Sequence, residues 1–250
     1  MKKQLMPRWA LALLVAAAVV PMAAGPVSAA DPLPESRTGH LTGIDVSHWQ
    51  GTIRWSKVKQ AGVSFAFAKA TEAQTFVDGQ YRPNRDQADA VGLRFGAYHY
   101  ARPDSSKKDA VLEADHFVRT AGLEGRHLLP VLDLEVHGGL SRDDLVAWTR
   151  TWLRRVESQL GVKPMIYTSP SFWHERMGDT RWFAKNGYRA LWIAHWRSPE
   201  PSVPANDWAG HGWTFWQVSD CGTVDGIGGC VDVDLYRNLN IRQLIIKEHR

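Results

Sequence analysis

The sequence predicts an α/β fold, a parallel β/α barrel of about eight strands with the last three helices missing, (β/α)5(β)3. Two observations predict it. Short apolar runs of β type alternate with amphipathic helical patterns through the first two thirds of the chain, and such alternation builds parallel sheets. In the final third the β-type runs continue while the helical patterns stop. The length, 250 residues, suits one barrel, and 44% hydrophobic with 22% charged residues is the balance of a globular chain.

Taken in order, residues 1–30 read as an export signal. Lys2, Lys3 and Arg8 precede an apolar run from Trp9 to Val20, then a small-residue stretch ending Val27-Ser28-Ala29-Ala30. That run is shorter than the ~20 residues a membrane-spanning helix needs, so a secreted protein without a membrane anchor is expected, cleaved after Ala29 or Ala30. A short lead covers 31–40, and a single catalytic domain is expected over 41–250. The net charge of +4 includes three positive charges within 1–30, which holds no acid. The remaining chain is nearly neutral, has no Lys/Arg run, and offers no footprint for nucleic acid.

Strands are expected at Thr42–Ser47, Phe65–Ala70, Phe95–Tyr100, Leu129–Val136, Pro164–Thr168, Ala190–His195, Thr214–Val218 and Val231–Leu235. Helical patterns cover Trp55–Gln60, Asn84–Val91, Lys107–Thr120, Ser141–Leu160 and Ser171–Asn186. The clearest is Ser141–Leu160: Leu145, Trp148, Trp152, Val156 and Leu160 form one stripe, Ser141 with Asp144 fits a capping pair, and Gly161 ends it. Between Trp196 and Trp213 lie Pro199, Pro201, Pro204 and Gly210, and neither this gap nor the one before Val231 carries a helical pattern. In that second gap Cys221 and Cys230 flank a Gly-rich loop. Two isolated cysteines in an exported chain point to a disulfide that clips the loop.

In such barrels the active site lies at the C-terminal ends of the strands. Those ends offer Asp45, Glu72, His99, Asp133 with Glu135, Tyr167, His195, Gln217, and Asp232 with Asp234. The run Leu132-Asp133-Leu134-Glu135-Val136 is the most informative. Alternation puts both acids on one face and the apolar residues on the other. Asp45 and Asp232, on strands that meet when the barrel closes, bring four acids to one opening, with Asp232 preferred over Asp234. Crowded, half-buried carboxyls raise one another's pKa, so one keeps a proton near neutral pH and acts as an acid beside an anion. Hydrolysis of a glycosidic bond needs that pairing. The ~6–7 Å between alternate residues of a strand leaves the stereochemical course open, including attack by the substrate's own acetamido group.

Twelve tryptophans, eleven beyond residue 30, add flat apolar faces of the kind sugar rings stack on. Tyr98, Tyr100, Tyr167, Trp192, Trp196 and Trp216 lie at or beside strand ends, whereas Trp148 and Trp152 follow the helix stripe into the core. His99, His137, His174 and His195 have no metal-ligand spacing, so no metal and no other cofactor is expected; a metal-dependent deacetylase or amidase is a minor alternative. Nucleotide-loop and serine-hydrolase motifs are absent from the sequence.

Five stretches then carry a resemblance: Gly43-Ile44-Asp45-Val46-Ser47-His48-Trp49-Gln50-Gly51, Phe67-Ala68-Lys69-Ala70-Thr71-Glu72, Gly96-Ala97-Tyr98-His99-Tyr100, Leu132-Asp133-Leu134-Glu135 and Val231-Asp232-Val233-Asp234. In this order, over roughly Leu41 to Asn240, they resemble the glycoside hydrolase family 25 lysozymes. The resemblance implies a secreted N-acetylmuramidase, a monomer, cutting the β-1,4 bond between N-acetylmuramic acid and N-acetylglucosamine in peptidoglycan. It implies Glu135 as proton donor, Asp133 as the assisting acid or acetamido-orienting group, and Asp45 and Asp232 lining the site. Glu72, Tyr98, Tyr100, Tyr167, Trp192 and Gln217 are then the expected substrate contacts. Two positions depart from the family pattern: Ala73 stands where Gly is usual, and Ala68 where a large apolar residue is usual. Two alternatives stay open. A chitinase or endo-N-acetylglucosaminidase would resemble Asp-x-Asp-x-Glu, but Val131 occupies the first acid position. A non-catalytic glycan-binding barrel would keep the tryptophans and lose an acid.

Overall fold

The computed structural model describes residues 31–32 and 39–247, and the expected export signal lies outside the described residues. Eight strands close into a barrel: β1 (Leu41–Val46), β2 (Phe65–Glu72), β3 (Arg94–Tyr100), β4 (Val131–Asp133), β5 (Met165–Thr168), β6 (Leu191–Ala194), β7 (Phe215–Thr223) and β8 (Val231–Tyr236). Each pairs with the next in sequence and β8 returns to β1. The first seven run parallel. The eighth is antiparallel to both neighbours. The barrel is thus parallel except for its last strand, because the short hairpin clipped by the Cys221–Cys230 disulfide reverses the chain.

Alternation sorts the side chains into two cores. Outward residues, among them Ile44, Ala66, Leu132, Leu134, Ile166 and Ile193, pack under the helices. Inward residues, among them Phe65, Phe67, Val131, Met165, Trp192, Phe215 and Tyr236, fill the barrel. The fill is tight enough to dictate glycine at two inward positions. A Cβ on Gly43 would lie 2.2 Å from the Phe65 ring, and one on Gly96 would lie 2.4 Å from the Phe67 ring.

Helices α1 (Trp55–Gln60), α2 (Tyr81–Ala90), α3 (Asp109–Ala121) and α4 (Arg142–Leu160) cover the barrel near the expected positions. In α4 the Ser141 hydroxyl accepts the Asp144 amide at 3.2 Å, Leu145, Trp148, Trp152 and Val156 are buried, and Gly161 caps the end in the left-handed region.

Four expectations need correction. The helix expected over Ser171–Asn186 is two, α5 (Pro170–Met177) and α6 (Trp182–Lys185), because Gly178 and Asp179 take positive φ and turn the chain. The gap after β6 does hold a helix, α7 (Pro204–Gly210), whose residues Ala205–Ala209 wind left-handed. Seven residues bounded by Pro204 and Gly210 are too few to show a hydrophobic period, and proline and glycine read as loop signals. It is pinned by Trp208 Nε1 donating to the Tyr188 carbonyl and by the Ala205 amide donating to Asp179. Strand β4 is shorter than Leu129–Val136: Pro130 has no N–H to donate, and after Asp133 the chain leaves the ladder. Strand β7 is longer than Thr214–Val218 and runs to the disulfide.

Candidate active site

The acids meet at one end of the barrel. Residues Asp45, Asp133, Glu135, Asp220 and Asp232 line a cavity of about 300 Å³, with Lys69, Tyr98, Tyr100, Tyr167, Trp192 and Gln217 among the other walls. Strand direction explains how Asp232 reaches it. The residue stands near the start of β8, and because β8 runs backwards that start is at the same end as the other strands' C-termini. Its register partner on β1 is Asp45.

Asp133 is 6% exposed, at the end of β4, while Glu135 follows in the loop and stands open at the rim. The two side chains share a hydrogen bond. Burial, then the neighbouring Glu135, drives the Asp133 pKa well above the usual carboxylate range. Desolvation also raises Glu135, opposed by the bond from Asp133 and by Lys69 and Arg102. The deeper Asp133 therefore holds the proton of the pair in the free protein, and Glu135 accepts its hydrogen bond. One oxygen of Asp133 and one of Asp234 are buried with no donor from the rest of the described chain, a condition under which a carboxyl stays neutral.

A second group of acids lies opposite. Asp45 is buried, bonded to Asp232 and Asp234, and accepts the Gln217 amide at 2.7 Å. Gln217 in turn accepts the Tyr167 hydroxyl at 2.9 Å and Trp196 Nε1 at 2.8 Å. One amide thereby fixes an acid, a phenol and a rim tryptophan. Burial raises Asp45 and Asp234 well above normal and, with Asp45 beside it, lifts Asp232 to about 9. Among the described residues no group of three or more His, Cys, Asp or Glu is placed to hold a metal ion.

Several expected site residues lie elsewhere or act differently. Glu72 does not line the cavity; it pairs with Lys69 and with Arg102 Nε, the latter at 2.7 Å. Lys69 faces the acids because it keeps the inward parity of Phe65 and Phe67; the register shift that follows it sets Glu72 opposite Tyr100, where the two ion pairs hold its carboxyl off the cavity wall. Trp192 reaches the cavity wall, yet it is buried and its indole N–H donates to Asp234 at 2.8 Å, holding the floor. His99 points outward, between Thr71 Oγ1 (2.8 Å) and Glu113 Oε2 (2.7 Å) under α3. Trp216 also faces outward, into the helix-side core.

Most of the tryptophans are core residues, and two of the expected surplus stand open at the mouth: Trp49, 82% exposed, and Trp196, 41% exposed. Sequence reasoning gave Trp49 no role and ranked Asp234 below Asp232. Trp49 sits in the 3-10 turn His48–Gln50, fixed by Ser47 and Gln50 capping each other, and that capping pair was readable from the sequence. Asp234 has the same parity as Asp232 on β8 and so also points inward, one layer deeper. Val131 is buried inside the barrel below Asp133, where a chitinase-type acid would stand. A second cavity shares Glu135, Tyr167 and Trp196 with the first and extends past Ser169, Ser171 and Arg197, so the mouth continues as a cleft with Glu135 at its middle.

This chain matches the family model "Glycosyl hydrolases family 25" over residues 44–227. It is 37% identical over 218 residues to lysozyme M1 of Streptomyces globisporus, covering 84% of this chain and 72% of that one. It is 33% identical over 219 residues to an N,O-diacetylmuramidase of Arthroderma benhamiae, covering 83% and 87%. The crystal structure of a bacterial lysozyme from Streptomyces coelicolor superposes with a TM-score of 0.75 at 36% identity, covering 83% of this chain and 97% of that one.

Proposed function

The chain belongs to the glycosyl hydrolases of family 25, and from that premise we propose that it is a muramidase hydrolysing the β-1,4 bond from N-acetylmuramic acid to N-acetylglucosamine in bacterial peptidoglycan. The observation that carries this reading is the hydrogen-bonded pair of Asp133, buried, and Glu135, at the middle of a cleft walled by Trp49, Trp196 and three tyrosines. Glu135 is the member that reaches a glycosidic oxygen. When a glycan fills the cleft and displaces water, the proton of the pair moves through Glu135 to the leaving oxygen, and Asp133 is left as the anion facing the developing positive charge.

The direct contact of these two carboxyls matters for the chemistry. An acid and a nucleophile flanking the bond would stand ~5–5.5 Å apart, and an acid and a base ~6.5–9.5 Å apart. Bonded carboxyls work from one side of the bond, which favours a course in which the 2-acetamido oxygen attacks the anomeric carbon and Asp133 orients it. Asp45 and Asp232, kept largely neutral by burial, then act as hydrogen-bond donors to the ring and its substituents. The reading also includes export, with cleavage after Ala29 or Ala30; no helix among the described residues is long and apolar enough to cross a membrane.

Mass spectrometry of digested peptidoglycan tests the proposal. New reducing ends of muramic acid support it. Reducing-end glucosamine would instead assign an endo-N-acetylglucosaminidase, and the absence of fragments a binding barrel.

A further inference from the structure

The opposite end of the barrel holds a cavity of about 290 Å³ whose ionisable lining is entirely basic: Lys163, Arg189, His211 and Arg237. Its place follows from the topology. Leu129, Pro164, Ala190 and Thr214 stand at the N-terminal starts of four parallel strands, and Arg237 follows the end of the reversed β8, so all meet at the pole away from the acids. Asn238 and Gln243 add amide groups to the walls, and no carboxylate lines it. Two acids stand near without lining it: Glu157, paired with Lys163 at 2.8 Å, and Asp207, beside Gly212. Arg189 and Arg237 have no ion-pair partner among the described residues, and Arg237 is anchored by donating to the His211 carbonyl. Two arginines held at the edge of a concave site, with their charge unneutralised, suit tetrahedral oxyanions, which a guanidinium fork grips by paired hydrogen bonds.

We infer that this basal cavity is a second binding site, for the phosphate groups of an anionic polyol-phosphate polymer of the bacterial wall. The choice of polymer rests on the peptidoglycan reading, because the enzyme's substrate is embedded in that polymer; the anion chemistry does not. A site at the far pole leaves the cleft free, so one end holds the wall while the other cuts it. Residues 31–250 are close to neutral overall, so attraction to a polyanion depends on this local concentration of charge rather than on the whole molecule.

The test is sedimentation of the full chain carrying Glu135→Gln, so that walls stay intact, with sacculi bearing the polyol-phosphate polymer and with the same sacculi stripped of it by hydrofluoric acid. The expected result is about tenfold tighter binding to the polymer-bearing walls at low salt, an advantage that shrinks as salt rises because each phosphate contact releases counterions. Adding Arg189→Glu with Arg237→Glu removes the advantage. Adding Lys163→Gln with Arg189→Gln, which leaves the Arg237 anchor intact, reduces it by several fold, with folding checked by an unchanged melting temperature. Equal binding to the two wall preparations overturns the proposal, as does an advantage that survives charge reversal. An equal advantage with linear double-stranded DNA as competitor overturns the assignment to wall polymer. Fragment release from stripped walls by the unaltered protein reads the muramidase separately, so the two readings fail independently.

Discussion

The two ends of this barrel are opposites in charge and in burial. At the mouth five acids surround one cavity with Lys69 the single strong base, and Asp45, Asp133 and Asp234 are buried with their pKa values pushed far up. At the base, Arg189 and Arg237 are exposed on an open surface and have no ion-pair partner among the described residues. The difference shows what burial does to a charged cluster. Crowded buried carboxyls become proton stores, useful for acid chemistry and costly to ionise, whereas solvated cations stay charged and serve recognition.

The largest expected effect lies on the mouth side. Asp133→Asn keeps the shape but removes the proton store and the later anion, and kcat/KM on peptidoglycan should fall by about 10²–10⁴. An activated aryl glycoside should rescue it only in small part, because such a substrate bypasses the lost proton store but not the lost anion that orients the acetamido group. Full rescue there would leave Asp133 no role beyond holding the proton and undo the contrast drawn within the pair.

The pH dependence of stability should separate the poles next. Asp232 holds its proton up to about pH 9 in the folded state and releases it near 3.9 when unfolded. The folded state therefore keeps this proton between those values, and the stability that Asp232 contributes is greatest at or below about pH 4 and declines as pH rises towards 9. Thermal unfolding across this range, at constant ionic strength, should show the decline, and Asp232→Asn should flatten it. Arg189→Gln should leave the slope alone.

Smaller effects follow. Trp196→Phe removes the N–H that Gln217 accepts and frees the ring, and about a tenfold loss of kcat/KM with a nearly unchanged melting temperature is expected. Reducing the Cys221–Cys230 disulfide opens a loop of about ten residues beside β8 and should cost about 2–3 kcal/mol, read as a lower melting temperature. Ala73, at the position where glycine was expected, has φ of 50°. Ala73→Gly should relieve that strain and stabilise by up to about 1 kcal/mol in denaturant titration.

How legible each part was depends on how local its pattern is. Asp133 and Glu135 could be read because polar residues interrupt an apolar strand at alternate positions. The junction of Asp45 with Asp232 followed from closing the barrel. Glu72 was misplaced because its ion pairs with Lys69 and Arg102, which no strand pattern reveals, hold it off the cavity wall, and the break between α5 and α6 because Gly178 resembles a tolerated helix glycine. The excess of tryptophan looked like sugar binding, yet Trp55, Trp152, Trp173 and Trp208 are wholly buried, since a wide barrel and its helices take large side chains. The basal cavity was invisible. Its charges come from a strand approach (Lys163), a strand start (Arg189), a turn (His211) and a strand exit (Arg237), with no spacing in common.

The central claim, that Glu135 delivers the proton held by its pair with Asp133, is tested most directly by the pH profile of kcat/KM for Glu135→Gln on peptidoglycan. The account predicts a folded variant slowed by about 10²–10⁴ that has also lost the alkaline fall shown by the unaltered enzyme, because without a carboxyl at 135 the proton held by Asp133 no longer reaches the leaving oxygen and its ionisation no longer limits the rate. A folded variant that keeps near-normal activity, or one that is slow but retains the alkaline limb unchanged, would contradict it.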